Sequence, residues 1–322
     1  MINSVTVRAP ARLHLGFLDM NGELGRRFGS LGLAIDAYET RVTVRRAAQL
    51  SVRGLQAERA RGILAKLTAA IGDEASFAVS IDSAIPAHQG LGSGTQLALA
   101  LSTGLQHLTG CANDLLQAAM LTQRGGRSGA GVGLFQTGGF VVDGGHGARP
   151  SIPPIISRAA FPEAWRIILV ADPSQRGVSG PDEAEAFAAL PKFLPLRAGE
   201  ICRRVLMQVL PGLAEADISS FGAGISAIQA IVGDYFAPVQ GGSRFKSRAV
   251  EALLHDLASL GATGIGQSSW GPTGFAFVSD APTAEKLEAE TRSKAAEMRL
   301  DIGICKALNR GAMIEKNTPA SA

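Results

Sequence analysis

The sequence predicts an α+β protein of two domains, and three observations carry that reading. Strand-like and helix-like segments alternate without a regular βα period in both halves of the chain. Gly144 to Pro154, with Arg149-Pro150 and Pro153-Pro154, has the composition of a linker. A length of 322 residues suits two cores of ordinary size. The expected division is 1–150 and 151–322.

Val5-Thr6-Val7 and Thr40 to Val44 are β-branched runs that read as strands over 4–8 and 40–46. Between them, 13–17 and 31–35 are shorter strand-like pieces in a glycine-rich stretch. Ile63, Leu64, Leu67 and Ile71 share one face of a helix over 59–71. Phe77 to Ile81 is a strand, 90–94 a loop, and 95–108 a long helix without Asp, Glu, Lys or Arg. A helix at 115–123 and a strand at 138–143, entered through glycines, complete the first half. In the second half Trp165 to Ala171 is a buried-looking strand, followed by helices at 181–190, 199–210, 218–233 and 246–260. A glycine-rich segment, 261–274, feeds a strand at 275–278. A polar helix at 282–298 and a last strand at 301–307 follow, and 313–322 reads as a frayed tail.

Hydrophobic residues make up 46% and charged residues 18%, too apolar for a disordered chain. A net charge of 31 − 28 = +3, with only 2 Tyr and 2 Trp beside 13 Phe, argues against a nucleic-acid surface. Cys111, Cys202 and Cys305 lie far apart without zinc or CxxC spacing, as expected of reduced thiols in a cytosolic protein. The N-terminus lacks the basic-then-apolar order of a signal peptide. The uncharged stretch from Ala84 to Asn113 is broken by His, Gln, Ser and Thr, so it is no membrane span. A soluble, cytoplasmic protein is expected.

The 39 glycines cluster. Pro86-Ala87-His88-Gln89-Gly90-Leu91-Gly92-Ser93-Gly94-Thr95-Gln96 lies between a strand and a helix. Glycines there let the backbone approach a ligand, and the first N–H groups of the helix form a seat for phosphate. No Gly-Lys-Ser/Thr follows, so it is not a Walker A loop; an ordinary capped turn is the plainer alternative. Arg12 and His14 alternate on a strand whose Leu13 and Leu15 face the core, which leaves their own face to solvent or to a site. Arg26 and Arg27 are either a solvated pair or a guanidinium fork for an anion.

This loop is similar to the Pro-x-x-x-Gly-Leu-Gly-Ser-Ser-Ala motif of the GHMP superfamily of small-molecule kinases. Ala9 to Gly16 resembles that superfamily's N-terminal motif, and Gly261 to Gly274 stands where its C-terminal glycine motif belongs. The resemblance implies an N-terminal domain like ribosomal protein S5 and a ferredoxin-like C-terminal domain. Two departures matter. Ser128-Gly129-Ala130-Gly131 puts Gly131 where the kinases carry a proton-accepting aspartate, and Ser268-Ser269-Trp270 and Pro272 interrupt the open glycine run.

One branch of the superfamily shares these features, the β-ribofuranosylaminobenzene 5′-phosphate synthases. The residues behind that resemblance are Arg12 to Asp19, Arg26 to Ile35, Gly126 to Gly129, Phe135 to Gly145, Gln175 to Glu183 and Gly266 to Pro272. It implies a transferase that condenses 5-phosphoribosyl 1-pyrophosphate with 4-hydroxybenzoate or 4-aminobenzoate, losing pyrophosphate and carbon dioxide. It further implies Mg2+ and a homodimer.

Under that resemblance the 90–96 loop suits the pyrophosphate, with Gly92, Ser93, Gly94 and Thr95 as donors, and Gln89, Gly90, Gln96, Arg12 and Ser30 are further substrate-binding candidates. Arg26 and Arg27 orient charged groups, and His14 or His88 accepts the para proton near neutral pH. Asp19, Asp36 and Asp143 are candidate metal ligands, or turn and capping residues. Arg124 and Arg127 are assigned to the 5′-phosphate, although cations after a helix also complement its dipole, and Ser128 is a further substrate-binding candidate. Gln175, Ser179 and Glu183 form one polar wall, and Gln267, Ser268 and Ser269 the other. A GHMP kinase with another base, or a silent sugar-phosphate sensor, is the competing reading.

Overall fold

The computed structural model describes residues 2–71, 76–110, 115–149, 151–178 and 180–318. The chain starts with two long strands, β1 (Ser4–Asp19) and β2 (Phe28–Ala47), paired antiparallel from Ser4↔Arg45 to Asp19↔Phe28. The four short strands expected at 4–8, 13–17, 31–35 and 40–46 are therefore two. Register shifts at Pro10/Ala11 and His14/Gly16 absorb the irregular residues without ending the pairing. Gly16, at φ +129°, makes the second shift possible, and its missing side chain lets Ile228 approach.

Next come β3 (Ser51–Gly54), α1 (Ala57–Ile71), β4 (Ser76–Ser83), α2 (Ser93–Thr109), α3 (Leu115–Leu121), α4 (Ala130–Thr137), β5 (Phe140–Asp143) and β6 (Ile155–Ala159). β3, α4 and β6 are not anticipated by the sequence. The first sheet runs β3-β4-β2-β1, and the first half of β2 also pairs with β5, which pairs with β6. Odd-numbered residues of β1 face the core. Val5, Val7 and Ala9 pack under α1 and α2, and Ala11, Leu13 and Leu15 pack into the interior shared with the second half.

The second sheet is made of β7 (Arg166–Ala171), β8 (Thr263–Gln267), β9 (Gly274–Val278) and β10 (Asp301–Cys305). Before β8 come α5 (Pro181–Ala189), α6 (Pro195–Arg204), a π turn over 205–209, α7 (Leu210–Ala214), α8 (Ile218–Phe236) and α9 (Arg248–Ser259). α10 (Ala281–Glu297) joins β9 to β10. The antiparallel order β10-β7-β9-β8 is that of a ferredoxin-like βαββαβ unit. Ile168 and Val170 face α9 and α10, while Ile167 and Leu169 face the shared interior, so β7 is apolar throughout.

The division at 150 is crossed twice. β6 lies past it yet belongs to the first sheet, and β11 (Met313–Asn317) pairs with β1 from Ser4↔Asn317 to Arg8↔Met313. The segment expected to fray is thus partly an edge strand, and the expected linker is anchored by an Arg27–His146 bridge. Cys305 is buried and Cys202 half-buried, both free, while Cys111 lies outside the described residues. Among the described residues no helix is long and apolar enough to cross a membrane.

The rings of Phe140 from the first sheet and Phe277 from the second both contact Phe221 of α8, at 6.1 and 5.1 Å between centroids. Phe161 and Trp165 close the cluster at 5.6 and 5.4 Å from the same ring. Phe221→Ala is expected to cost about 3–5 kcal/mol in urea unfolding, because it empties the junction of both sheets. A loss under about 1 kcal/mol would show that the halves are stabilised independently.

Candidate active site

The glycine loop places the N-terminus of α2 at the bottom of a cleft of about 510 Å³. Gly90 and Gly92 take positive φ, at +77° and +84°. A Cβ at Gly90 would run into the main chain of Ser268, so only glycine lets this loop lie against the 268–271 turn. No side chain caps α2 and no acidic residue lies in its first turn, which leaves the positive end of the helix facing the cleft.

Three arginines surround that end. A Cβ at Gly92 would lie 2.9 Å from Arg12 Cγ, and one at Gly94 would meet Arg59 Nη2 and lie 3.0 Å from Arg124 Nη1. Arg12 donates to the Gly90 carbonyl, and Arg59 donates to the Ser93 hydroxyl at 3.2 Å. Burial lowers Arg12 to about 10; it also lowers Arg59, helped by Arg124 alongside, and lowers Arg124 itself. All three remain cations at neutral pH. The fourth cleft arginine, Arg127, pairs with Glu183 at 2.6 Å, and its guanidinium lies 5.0 Å from the centre of the Phe187 ring. Burial raises Glu183 against the pull of Arg127 and Arg12. Four arginines thus face one carboxylate across the described cleft residues, an arrangement suited to a polyanion.

The structure brings together, from the sequence assignment, Arg12, His14, His88, Gly90, Gly92, Ser93, Gly94, Thr95, Arg124, Arg127, Ser128, Glu183 and Ser269. It adds Arg59, Phe17 and Trp270. Gly131 also lines the cleft and supplies no carboxylate. His88 is exposed, at φ +59°, and its carbonyl accepts from Gly177 N at 2.7 Å. His14 is buried, and burial with the charge of Arg12 lowers it to about 3. The expected proton acceptor near neutral pH is therefore a neutral imidazole.

Several assigned residues have other work. Arg26 donates to the carbonyls of Gly144 at 2.7 Å and Gly145 at 2.5 Å. Arg27 donates to Met20 O at 3.0 Å. This exposed pair fastens the expected linker and does not line the cleft. Ser30 and Ser128 both donate to Asp143 Oδ2, which also accepts from the N–H groups of Gly129 and Ala130 at 3.0 and 3.2 Å. Asp143 Oδ1 accepts from Gly145 N at 2.9 Å, so this carboxylate caps α4 rather than waiting for a metal.

Asp19 Oδ1 closes a turn on Asn21 N at 2.6 Å, and Asp36 Oδ1 accepts from Lys306 N at 2.7 Å. The three aspartates do not converge, and no group of three His, Cys, Asp or Glu among the described residues could hold a metal.

Gln96 is fully buried on Gly131 O at 2.9 Å. Gln89 donates to Gln175 O at 3.3 Å beside a different cavity. Ser268 is buried between His14 N, at 3.0 Å, and Gly90 O, at 2.8 Å. Gln267 is bonded to Lys246 N at 2.6 Å and to Gln240 and Ser269 at 3.1 Å. Ser179 lies outside the described residues.

Residues 58–139 match the family described as GHMP kinases N terminal domain, and residues 209–296 match GHMP kinases C terminal. The chain is 33% identical over 309 residues to the beta-ribofuranosylphenol 5'-phosphate synthase of Methanothermobacter thermautotrophicus, covering 88% of this chain and 91% of that protein. It is 34% identical over 327 residues to the same-named protein of Archaeoglobus fulgidus, covering 96% and 99%. Among solved structures, homoserine kinase from Cytophaga hutchinsonii superposes with a TM-score of 0.68 at 17% identity over 98% of both chains. Mevalonate diphosphate decarboxylase from Enterococcus faecalis gives 0.69 at 16%, over 98% of this chain and 100% of that one. These two share the fold.

The unfolded chain protonates His14 below about pH 6.5, whereas the folded chain holds it neutral down to about 3. Stability present at pH 7 is therefore lost as pH falls through that window. Between pH 7 and pH 5 the protein is expected to lose about 2 kcal/mol more than a His14→Gln variant, read by urea midpoints. Equal losses would mean that His14 titrates normally.

Proposed function

The chain belongs to the beta-ribofuranosylphenol 5'-phosphate synthase family within the GHMP kinase superfamily, and on that premise we propose the reaction it carries out. It joins 5-phosphoribosyl 1-pyrophosphate to 4-hydroxybenzoate or 4-aminobenzoate, an early step of tetrahydromethanopterin biosynthesis. The bond from the anomeric carbon to pyrophosphate breaks with its electron pair leaving on oxygen. The ring carbon that bears the carboxylate then gives a pair to the anomeric carbon, and loss of carbon dioxide returns a pair to the ring.

What supports this most is the set of Arg12, Arg59 and Arg124 over the uncapped N-terminus of α2. Their charge and the helix N–H groups stabilise a departing pyrophosphate as its negative charge develops. The hydroxyls of Ser93 and Thr95 lie on the same edge of the cleft. Arg127, held by Glu183, is left to orient the 5′-phosphate. A kinase would need an acceptor for the hydroxyl proton, and Gly131 supplies none.

Asp19, Asp36 and Asp143 do not suit a protein-held magnesium ion, so magnesium enters this reading as a companion of the substrate's pyrophosphate, coordinated chiefly by phosphate oxygens and water. A cytoplasmic homodimer completes the reading, and the exposed Leu196, Leu206 and Met207 around α6 support self-association. Neither a nucleic acid nor a membrane takes part.

Carboxyl-labelled 4-hydroxybenzoate should release labelled carbon dioxide only with phosphoribosyl pyrophosphate present. No release, with ATP consumed on a small alcohol, would establish the kinase instead. Arg59→Ala is expected to raise KM for phosphoribosyl pyrophosphate about 10- to 100-fold, the loss of one charge-assisted contact. Because it also removes a half-buried cation beside Arg124, Tm should hold or rise. An unchanged KM would take Arg59 out of the pyrophosphate site.

A further inference from the structure

At the floor of the cleft two buried polar atoms have no hydrogen-bond partner, Nε2 of His14 and Nε1 of Trp270. Their residues are only 4% and 3% exposed. Leaving such atoms unpaired costs free energy unless something fills the gap. The two are complementary. An indole N–H can only donate. The imidazole is neutral, and with its proton on Nδ1 the unpartnered Nε2 presents a lone pair.

Both side chains line the cleft and also a much smaller neighbouring cavity of about 20 Å³, room for one oxygen atom. Aromatic rings wall this junction. Phe17 lies 4.6 Å from the His14 ring and Phe236 lies 4.3 Å from Trp270, centre to centre. The amides nearby are spent: Gln229 bonds Leu15 O at 2.8 Å and Gln267 N at 2.9 Å.

Trp270 is held firmly where it is. Ser269 N, at φ +58°, donates to His14 O at 3.2 Å, Gly271 N donates to Ser268 O at 3.1 Å, and Trp270 O accepts from Val178 N at 3.3 Å. A turn that the sequence marks as departing from an open glycine run thus carries an indole into the site.

We propose that His14 and Trp270 form the acceptor subsite and read the para-hydroxyl of the aromatic acid. The hydroxyl donates to His14 Nε2 and accepts from Trp270 Nε1–H, satisfying both atoms at once. This rests on the synthase reading and deepens it. An amino group in the same place donates to His14, but its lone pair is delocalised into the ring and leaves the indole N–H unpaired. A site built around a hydroxyl rejects an analogue that cannot complete its bonds. The subsite therefore selects 4-hydroxybenzoate over 4-aminobenzoate. Hydrogen bonding from the phenol to His14 also raises electron density at the carbon para to it, which is the carbon that must attack the anomeric centre.

The test is carbon dioxide release from both acids by the wild type and by Trp270→Phe, which keeps a ring and deletes the N–H. The expected result is a fall of about tenfold in kcat/KM with 4-hydroxybenzoate, or about 1.4 kcal/mol. The 4-aminobenzoate value and the KM for phosphoribosyl pyrophosphate should stay within about twofold. Equal losses with both acids, which a merely structural role would produce, or no loss at all would overturn the proposal. Should Trp270→Phe fail to fold, His14→Leu is measured the same way: because both acids donate to Nε2, kcat/KM is expected to fall about tenfold with each while the KM for phosphoribosyl pyrophosphate stays within about twofold, and no loss with either acid would overturn the proposal.

Calorimetric titration of 4-hydroxybenzoate separates this inference from the reaction. If the wild type releases no carbon dioxide but binds the acid about tenfold more tightly than Trp270→Phe does, the subsite stands and the synthase reading falls. A wild type that neither turns over nor binds the acid with phosphoribosyl pyrophosphate present overturns both.

Discussion

The antiparallel pairing of β1 with β2 is the constraint from which the site follows. Because side chains alternate along β1, burial of Leu13 and Leu15 in the shared interior obliges Arg12 and His14 to point the other way. That direction holds Arg12 against the N-terminus of α2 and turns His14 into the same cleft. The register shift at Gly16 bends the strand and lets α8 approach. Its residue Gln229 then holds Leu15 O and Gln267 N together.

The cleft runs on unspent charge. Arg12, Arg59 and Arg124 are drawn partly out of water, and among the described cleft residues the one carboxylate, Glu183, offsets Arg12 while it is already paired with Arg127. A protein that sought stability alone would place carboxylates there or leave the cations in solvent. Keeping them crowded raises the free energy of the empty cleft and lets an incoming polyanion relieve it, so the cost of assembling the site is recovered on binding.

Much of this was legible in the sequence where local chemistry decides. The glycine loop, the uncharged helix after it and the alternation of Arg12 with His14 depend on neighbours in the chain, and the ferredoxin-like half was implied by resemblance. Pairing at long range was not legible. β11 is a short strand whose partner, β1, opens the chain, and β6 joins the same sheet only through β5. α4 contains Gly131 and Gly133, poor helix formers, and it forms because Asp143 caps it from β5. Arg26 and Arg27 look like a ligand fork, yet main-chain carbonyls satisfy them. Arg59 gave one faint signal, a cation near the start of a helix, where the dipole disfavours it. Nothing in the spacing shows that β1, the 88–90 loop and the 268–271 turn meet.

The return of β11 to pair with β1 has a consequence for how the molecule is made. Ser4 waits for Asn317, so the first sheet keeps an unpaired edge until β11 has been synthesised. Contacts so distant in sequence slow folding, because loop closure must be paid before they give anything back. The nascent first half therefore leaves the ribosome with β1 exposed along one side. The shared interior, which needs α8 and β9, closes only afterwards. Neither sheet has its full interior before the other arrives, and assembly of the cleft is the late event of folding.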